Sequence, residues 1–176
     1  MNKELHSLYH DAADKKLTGV SLVYSLPGRG KTFSLKVADK WMRKLNNNRQ
    51  KNFIFYQIVK MWGIGLNKDC LARTLSTAAG FGEDADKAHS ALATMQTGNL
   101  LVVDDVGAEK LSSEVIEAGL CDIIESRTDA RRATIVITNL TGDKIKARYG
   151  ARLHSRLVIG AERVITLTGR DRRAKT

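Results

Sequence analysis

The chain has 176 residues, 43% of them hydrophobic, so it is long enough for one domain with a core and too apolar for general disorder. No apolar run approaches the roughly 20 residues of a membrane span, and no signal peptide opens the chain. The two cysteines, Cys70 and Cys121, are isolated from each other, which together with the lack of an export signal indicates a cytoplasmic protein with reduced thiols. The net charge of +10 is concentrated in residues 33–51 and 144–176, which favours nucleic acid as a partner over a surface that is basic only for solubility.

Strands and helices are predicted to alternate along the chain. Residues 1–17 are expected to form a short helix or arm ahead of a core that occupies residues 18–176. Runs of apolar and β-branched residues predict strands. Their predicted ranges are 19–25, 52–59, 99–105, 133–139 and 162–169.

Helical periodicity separates these strands. The helix after the first strand is expected to be amphipathic, with an apolar row of Phe33, Val37 and Trp41. Residues 67–97 have a helical pattern that is interrupted around Gly80 and Gly82. A later helix is expected to present one apolar face, made of Ile116, Leu120, Ile123 and Ile124. Strands that alternate with helices favour an α/β fold, in which helices cover both faces of a parallel sheet.

The turn between the first strand and the next helix resembles a phosphate-binding loop. It reads SLPGRGKT, which fits the pattern G-x-x-x-x-G-K-[ST] except that Ser25 replaces the first glycine. In such a loop the backbone approaches phosphate oxygens, the Lys31 ammonium neutralises the β- and γ-phosphates, and the Thr32 hydroxyl ligates Mg²⁺. The predicted nucleotide-binding residues are Pro27, Gly28, Arg29, Gly30, Lys31, Thr32 and Phe33.

Two carboxylates are predicted at the end of the third strand, in the run LLVVDD. Asp104 is expected to hold Mg²⁺ together with Thr32, and Asp105 is expected to polarise a water for attack on the γ-phosphate. Asn139, at the end of the fourth strand, is a candidate for orienting that water. Asparagine is also common in ordinary turns, which is the alternative for this residue.

Ordered motifs follow the phosphate-binding loop: NLLVVDDVGAE, IIESR, ATIVITNLTGDKI and YGARLHSRL. Together they resemble the AAA+ core of DnaC/DnaI-type bacterial helicase loaders. The closing segment RLVIGAERVITLTGRDRR is similar to that of IstB-type transposition helper ATPases of the same clade. The resemblance covers about residues 18–173.

The resemblance implies a P-loop NTPase of the ASCE type with a parallel sheet of strand order 5-1-4-3-2. It also implies ATP and Mg²⁺ as cofactors, and action on DNA as a homo-oligomer. Lys31 and Thr32 then belong to Walker A, Asp104 and Asp105 to Walker B, and Asn139 to sensor 1. Arg156 matches the arginine finger that is offered to a neighbouring subunit, and Arg152 is the alternative.

The sequence departs from this family in several places. Loaders usually carry a helicase-binding domain before the core, where this sequence has residues 1–17. Asp105 stands where many AAA+ proteins have glutamate, and its shorter side chain predicts slow hydrolysis. No helical lid is expected after Gly169, and Arg170 is the candidate for the sensor-2 arginine. A core of this kind would suit a phage or mobile-element protein.

Three functions fit a site of this kind. The first is an ATP-dependent loader of a DnaB-type replicative helicase that binds DNA, with single-stranded DNA favoured. The alternative is an IstB-like helper that assembles on DNA and recruits a transposase, and it shares every predicted catalytic residue. A small-molecule kinase is the least favoured, because the sequence shows no lid arginines or acceptor pocket and the basic C-terminal segment would have no role.

Overall fold

The described part of the chain forms a parallel sheet with helices on both faces. The computed structural model describes residues 3–14, 16–25, 31–48, 54–61, 70–109 and 114–167. Within these ranges, residues 31–34 and 48 are described by their backbone alone. The strands are β1 Val20–Ser25, β2 Tyr56–Lys60, β3 Leu100–Val106, β4 Ala133–Thr138 and β5 Arg163–Leu167. The helices are α1 Lys3–Ala13, α2 Lys31–Asn48, α3 Leu71–Ala78, α4 Glu83–Thr97, α5 Glu114–Asp129 and α6 Gly142–His154, and a π-helical turn, Ser155–Ile159, follows α6.

The strand order is β2-β3-β4-β1-β5, which is the predicted order 5-1-4-3-2 read from the other edge. Every pair of neighbouring strands is parallel. The prediction of a parallel α/β sheet is therefore confirmed. Because β3, β4 and β1 are neighbours, their carboxyl ends lie side by side at the edge where open parallel sheets bind their ligands.

The predicted start of the second strand was wrong. Residues 52 and 53 lie outside the described residues, and the ladder begins only at Tyr56. Asn46 of α2 occupies both backbone groups of Ile54: its Nδ2 donates to the carbonyl oxygen at 2.8 Å, and its Oδ1 accepts from the N–H at 2.9 Å. Ile54 is thus paired with a side chain and not with a neighbouring strand. At the other end β2 continues to Lys60, one residue beyond the prediction.

Helix α2 is amphipathic as predicted, but its buried row differs from the predicted one. The row that faces the sheet is Leu35, Ala38 and Met42, each at most 2% exposed. Val37 and Trp41 are only half-buried, and the side chain of Phe33 is not among those that the structure describes. Helix α1 lies beside α2, and the Trp41 ring packs on His10 of α1 with their centroids 4.3 Å apart. The flank of α2 therefore contacts a helix, and the adjacent row contacts the sheet.

Each face of the sheet carries its own apolar cluster. On one face α1 and α2 pack against β-strand residues that include Val23, Val102 and Ile135, and α1 contributes Leu5, Leu8, Tyr9, Ala12 and Ala13. On the other face α3 to α6 pack together, and the predicted apolar face of α5 is buried there. Both cysteines are buried free thiols. Among the described residues, no helix combines the length and the hydropathy that a membrane span requires.

Arg127 of α5 is a fully buried arginine that joins three elements. Its Nη1 donates to the carbonyl oxygens of Met95 at 2.5 Å and Gly98 at 2.9 Å, at the end of α4. Its Nε and Nη2 donate to Thr134 Oγ1 at 2.8 Å and to the Ala133 carbonyl at 2.6 Å, at the start of β4. Burial is the main reason that the pKa of Arg127 is lowered to about 10. Even at that pKa the side chain is charged at neutral pH, and it satisfies carbonyl groups that the helix end leaves open.

We expect Arg127→Ala to lower the free energy of unfolding by about 3 kcal/mol, because it leaves buried carbonyl groups without donors and creates a cavity. Urea unfolding followed by circular dichroism measures this loss. Arg73→Ala is the matched control, since Arg73 is an exposed arginine on α3, and it should change stability by less than about 0.5 kcal/mol. Equal losses in the two variants would contradict the assigned role of Arg127.

Candidate nucleotide-binding site

The described residues of the predicted catalytic site lie at the carboxyl edge of the sheet. Asp104 and Asp105 are near the end of β3, and Asn139 directly follows β4. Ser25 ends β1, the strand on the other side of β4. The sheet order thus brings the strand ends that carry these residues together, although they are far apart in sequence.

The predicted phosphate-binding loop is described only at its borders. Pro27, Gly28, Arg29 and Gly30 lie outside the described residues. Lys31, Thr32 and Phe33 form the first turn of α2, and only their backbone is described. The strand before the predicted loop and the helix after it are therefore both present. A helix that starts right after this loop presents backbone N–H groups and the positive end of its dipole, both of which favour an anion.

A β-bulge in β3 contains both carboxylates, Asp104 and Asp105. Val103 pairs with Val136 of β4 and Val106 pairs with Thr138, so β3 has one residue more than its partner between these pairs. Asp105 takes a left-handed backbone conformation, with φ 58°, which aspartate tolerates better than most residues. The Asp104 side chain is buried, whereas that of Asp105 is 29% exposed. One carboxylate therefore lies inside the protein, and the other lies partly open to water.

Lys60 is a residue of the site that sequence analysis missed. It ends β2 in register with Asp104, and its Nζ lies 3.4 Å from Asp105 Oδ2. Both side chains are half-buried, at 27% and 29% exposure. The ammonium therefore restrains the Asp105 carboxylate from the neighbouring strand. A lysine at the end of a predicted strand is not a distinctive signal, because only the strand order places it beside Asp105.

The loop after β3 is tied to α6 through a buried carboxylate. Gly107, at φ 95°, packs so closely on Leu140 that a Cβ would lie 2.4 Å from its Cδ1. The Gly107 N–H donates to Glu109 Oε2 at 3.2 Å. On α6, Arg148 Nε donates to Glu109 Oε1 at 2.8 Å, and the Tyr149 hydroxyl donates to the same oxygen. Burial first, and then the hydrogen bond to Glu109, raises the pKa of Tyr149 well above its usual value. The sequence did not single out Glu109.

Asn139 lies one residue beyond β4, whereas the prediction placed it in the strand. The Thr138 hydroxyl explains this early end. It donates to the Val106 carbonyl of β3 at 2.7 Å and accepts the Leu140 N–H at 3.0 Å, which turns the chain away from the ladder. The Asn139 side chain is exposed at the same edge as Asp105. Its role in orienting a water stays a prediction.

The two candidate arginines lie together on the segment that follows a break in α6. Gly150 has a non-helical conformation, with φ 78°, and Arg152 and Arg156 follow it on one helical face. Both contact Glu125 of α5: Arg152 Nη2 lies 2.5 Å from Oε2, and Arg156 Nε lies 3.1 Å from Oε1. The structure thus groups the arginines with Glu125 of the same chain, a contact that sequence analysis missed. Arg170 lies outside the described residues.

The described groups fit a magnesium–nucleotide ligand. A buried carboxylate and a partly exposed carboxylate lie at a strand edge that also carries the start of α2. Mg²⁺ prefers carboxylate oxygens and keeps several waters, and phosphates favour a helix start. Asp104 with Thr32 would hold the metal, and the loop before α2 would hold the phosphates.

Comparison with known proteins identifies the fold. No family model matches the sequence, and no curated protein matches it. Among solved structures, the crystal structure of DnaI has 19% identity and a TM-score of 0.67, and the match covers 97% of this chain and 83% of that one. The DnaC helicase loader has 20% identity and a TM-score of 0.65, with 95% and 89% covered.

A replication initiator is also similar. DnaA bound to AMPPCP and single-stranded DNA has 17% identity and a TM-score of 0.69, and the match covers 96% of this chain but only 47% of DnaA. Together with the sheet order, these matches show that the chain has the fold of the AAA+ proteins. Its fold is of the DnaC/DnaI type, which confirms the resemblance read from the sequence motifs.

Proposed function

We propose that this chain is an ATP-dependent DNA replication protein that loads a DnaB-type replicative helicase. The observation that carries the proposal is the match to the DnaC helicase loader, which covers nearly all of both chains. The match to DnaA, in contrast, leaves more than half of DnaA uncovered. The arrangement of carboxylates at the sheet edge adds a site that suits ATP hydrolysis.

In the proposed reaction, residues 27–33 bind the phosphates of ATP, and Lys31 neutralises charge on the β- and γ-phosphates. Thr32 and the buried Asp104 hold Mg²⁺, which supplies charge neutralisation at the phosphates when it is bound. Asp105 accepts a proton from the attacking water. Its partial exposure and the 3.4 Å contact with Lys60 suit a carboxylate that must reach solvent and yet stay oriented.

DNA is the second proposed ligand, and α2 supplies a candidate surface. Lys36, Lys40 and Lys44 are exposed and recur at every fourth residue, so they form one row along the helix. Arg43 is also exposed, but its Nε lies 3.0 Å from Asp39 Oδ2, which neutralises part of its charge. A row of ammonium groups suits contacts with consecutive phosphates of a nucleic acid.

Replacing Lys36, Lys40 and Lys44 with glutamine should weaken binding to all DNA sequences alike and reduce the salt dependence of binding. Loss of three phosphate contacts should flatten the slope of log K against log salt by about 2 on single-stranded DNA. Fluorescence anisotropy with labelled single- and double-stranded oligonucleotides measures the slope. A control with glutamine at Lys3, Lys16 and Lys87, also exposed lysines, removes the same charge elsewhere. If both triple variants have the same slope, α2 is not the DNA surface.

The helicase assignment is tested by binding to a purified DnaB-type hexamer in the presence of ATP and Mg²⁺. We expect the wild-type chain to bind the hexamer with ATP, and Lys31→Ala, which should not bind ATP, to bind it poorly. A wild-type protein that binds no DnaB-type helicase and instead binds a transposase on duplex DNA would contradict the loader and support the IstB-like alternative.

A further inference from the structure

Glu125 of α5 binds both candidate arginines, but it does not bind them equally. Arg152 makes a bidentate contact, with Nε 3.1 Å from Oε1 and Nη2 2.5 Å from Oε2. Its Nη2 also lies 3.7 Å from Asp122 Oδ1. Arg156 makes one contact, from Nε to Glu125 Oε1 at 3.1 Å. Arg152 is therefore held by two carboxylates, and Arg156 is held at one nitrogen.

The single contact leaves most of the Arg156 guanidinium open. A guanidinium carries five N–H donors in a planar fork, and Nε supplies one of them. Among the described residues, Arg156 Nη1 and Nη2 form no hydrogen bond. The side chain is also 53% exposed. Arg156 can thus donate to a second anion while its Nε stays on Glu125.

Glu125 is suited to hold a fixed position. Its side chain is 19% exposed, and the hydrogen bond from Arg152 is the largest of the effects that lower its pKa to about 2. The carboxylate is therefore ionised at any physiological pH. Beneath the two arginines, Leu153 and Leu157 are buried in the core, so the backbone that carries Arg152 and Arg156 is anchored from below.

The local helix geometry also places Arg152 and Arg156 together on one exposed face. Residues four apart lie on one face of a helix, and Arg152 and Arg156 have this spacing. Arg156 lies in the π-helical turn Ser155–Ile159, and such turns are frequent at functional sites. Gly150 separates the pair from the rest of α6, and Glu125 is the residue of α5 that contacts both side chains.

We propose that Glu125 is a positioning residue and Arg152 its anchor, and that together they present the Nη atoms of Arg156 to a phosphate of the nucleotide bound by a second copy of this chain. The inference rests on the proposed ATPase function, and it assigns the donating role to Arg156 and not to Arg152. It predicts that Glu125 acts only in the subunit that supplies the arginine.

A mixing experiment separates the two subunits of one site. Lys31→Ala should not bind ATP but should offer Arg156, and Arg156→Ala should bind ATP but offer no finger. Their mixture should therefore hydrolyse ATP at mixed interfaces. Glu125→Gln is then added either to the donor, as Lys31→Ala/Glu125→Gln, or to the acceptor, as Arg156→Ala/Glu125→Gln. Native electrophoresis and thermal unfolding confirm that each protein is folded and co-assembles.

We expect kcat of the mixture to fall about tenfold to a hundredfold when the donor carries Glu125→Gln, because a misplaced finger acts on the transition state. The same change in the acceptor should cost less than twofold, and KM for ATP should stay within about twofold in both arrangements. Glu125→Asp in the donor should restore part of the loss. Arg152→Ala in the donor should give a partial loss, smaller than that of Arg156→Ala.

Four results would overturn the inference. Equal losses from both placements of Glu125→Gln would show a general structural role, and no loss in either would show none. A donor that tolerates Arg156→Ala but not Arg152→Ala would give the finger to Arg152. If the original mixture has no activity although the two proteins co-assemble, the site is not shared between subunits and the inference is overturned. The proposed ATPase function is overturned only if the wild-type chain also fails to hydrolyse ATP.

Discussion

Replacing Asp105 with asparagine should reduce ATP turnover about a hundredfold or more, while ATP affinity stays within about threefold of wild type. The amide cannot accept a proton from the attacking water, and a general base contributes roughly 10²–10⁴-fold in rate. The variant keeps Asp104, the buried carboxylate at the proposed metal site. It removes the negative charge that pairs with Lys60. Single-turnover hydrolysis of radiolabelled ATP measures the chemical step without product release.

Asp104→Asn is the matched comparison for Asp105→Asn, because it makes the same chemical change one residue away. We expect Asp104→Asn to weaken the Mg²⁺-dependent part of ATP binding, whereas Asp105→Asn should leave it nearly unchanged. The division of roles between a buried and a partly exposed carboxylate would be contradicted if the two variants lost binding and turnover to the same extent. It would also be contradicted by an Asp105→Asn protein with wild-type turnover.

Arg156→Ala should bind ATP nearly normally, hydrolyse it poorly and assemble weakly. A guanidinium near the γ-phosphate stabilises charge that develops during transfer, and such fingers contribute on the order of 10³–10⁵-fold in other phosphate-transfer systems. A slow ATPase should show a smaller effect. The Arg156 side chain is exposed, and its Nη atoms form no hydrogen bond with the described residues. Both features suit a group that acts on another subunit. Steady-state hydrolysis and sedimentation of the variant measure both effects.

A mixture of Arg156→Ala with Lys31→Ala tests the action between subunits. Each protein lacks a different half of the shared site, so mixed assemblies should contain some intact interfaces and regain activity over either protein alone. Titration of one variant against the other should give maximal activity at intermediate ratios. If the mixture co-assembles but is as inactive as its components, Arg156 does not act on a neighbouring subunit.

Local sequence patterns predicted the elements and the edge of the sheet where the carboxylates lie. Apolar runs located the strands, and LLVVDD placed Asp104 and Asp105 at the end of β3. The apolar face of α5 was also predicted, because its residues recur with the period of a helix. The strand order came from the resemblance to a family, since periodicity alone does not say which strands are neighbours.

Contacts between distant parts of the chain were not predictable. Glu109 accepts hydrogen bonds from Arg148 and Tyr149, and Glu125 contacts Arg156, across separations of 31 to 40 residues. The first contacts depend on how α6 packs on the segment after β3, and the second depends on how the π-helical turn packs on α5, and no local pattern encodes either arrangement. The bulge at Asp105 likewise depends on the register between β3 and β4. The buried row of α2 was misplaced because α1 covers the flank that the spacing indicated.

The most direct test is a titration of ATP in the presence of Mg²⁺ with wild type, Lys31→Ala and Lys36→Ala. Lys36 is an exposed lysine on the same helix, so Lys36→Ala removes the same charge without changing the predicted phosphate-binding loop. We expect saturable binding by wild type and Lys36→Ala, loss of binding when Mg²⁺ is chelated, and no measurable binding by Lys31→Ala, since Lys31 is the cation predicted to meet the β- and γ-phosphates. Unchanged ATP affinity in Lys31→Ala would contradict a nucleotide site at this loop.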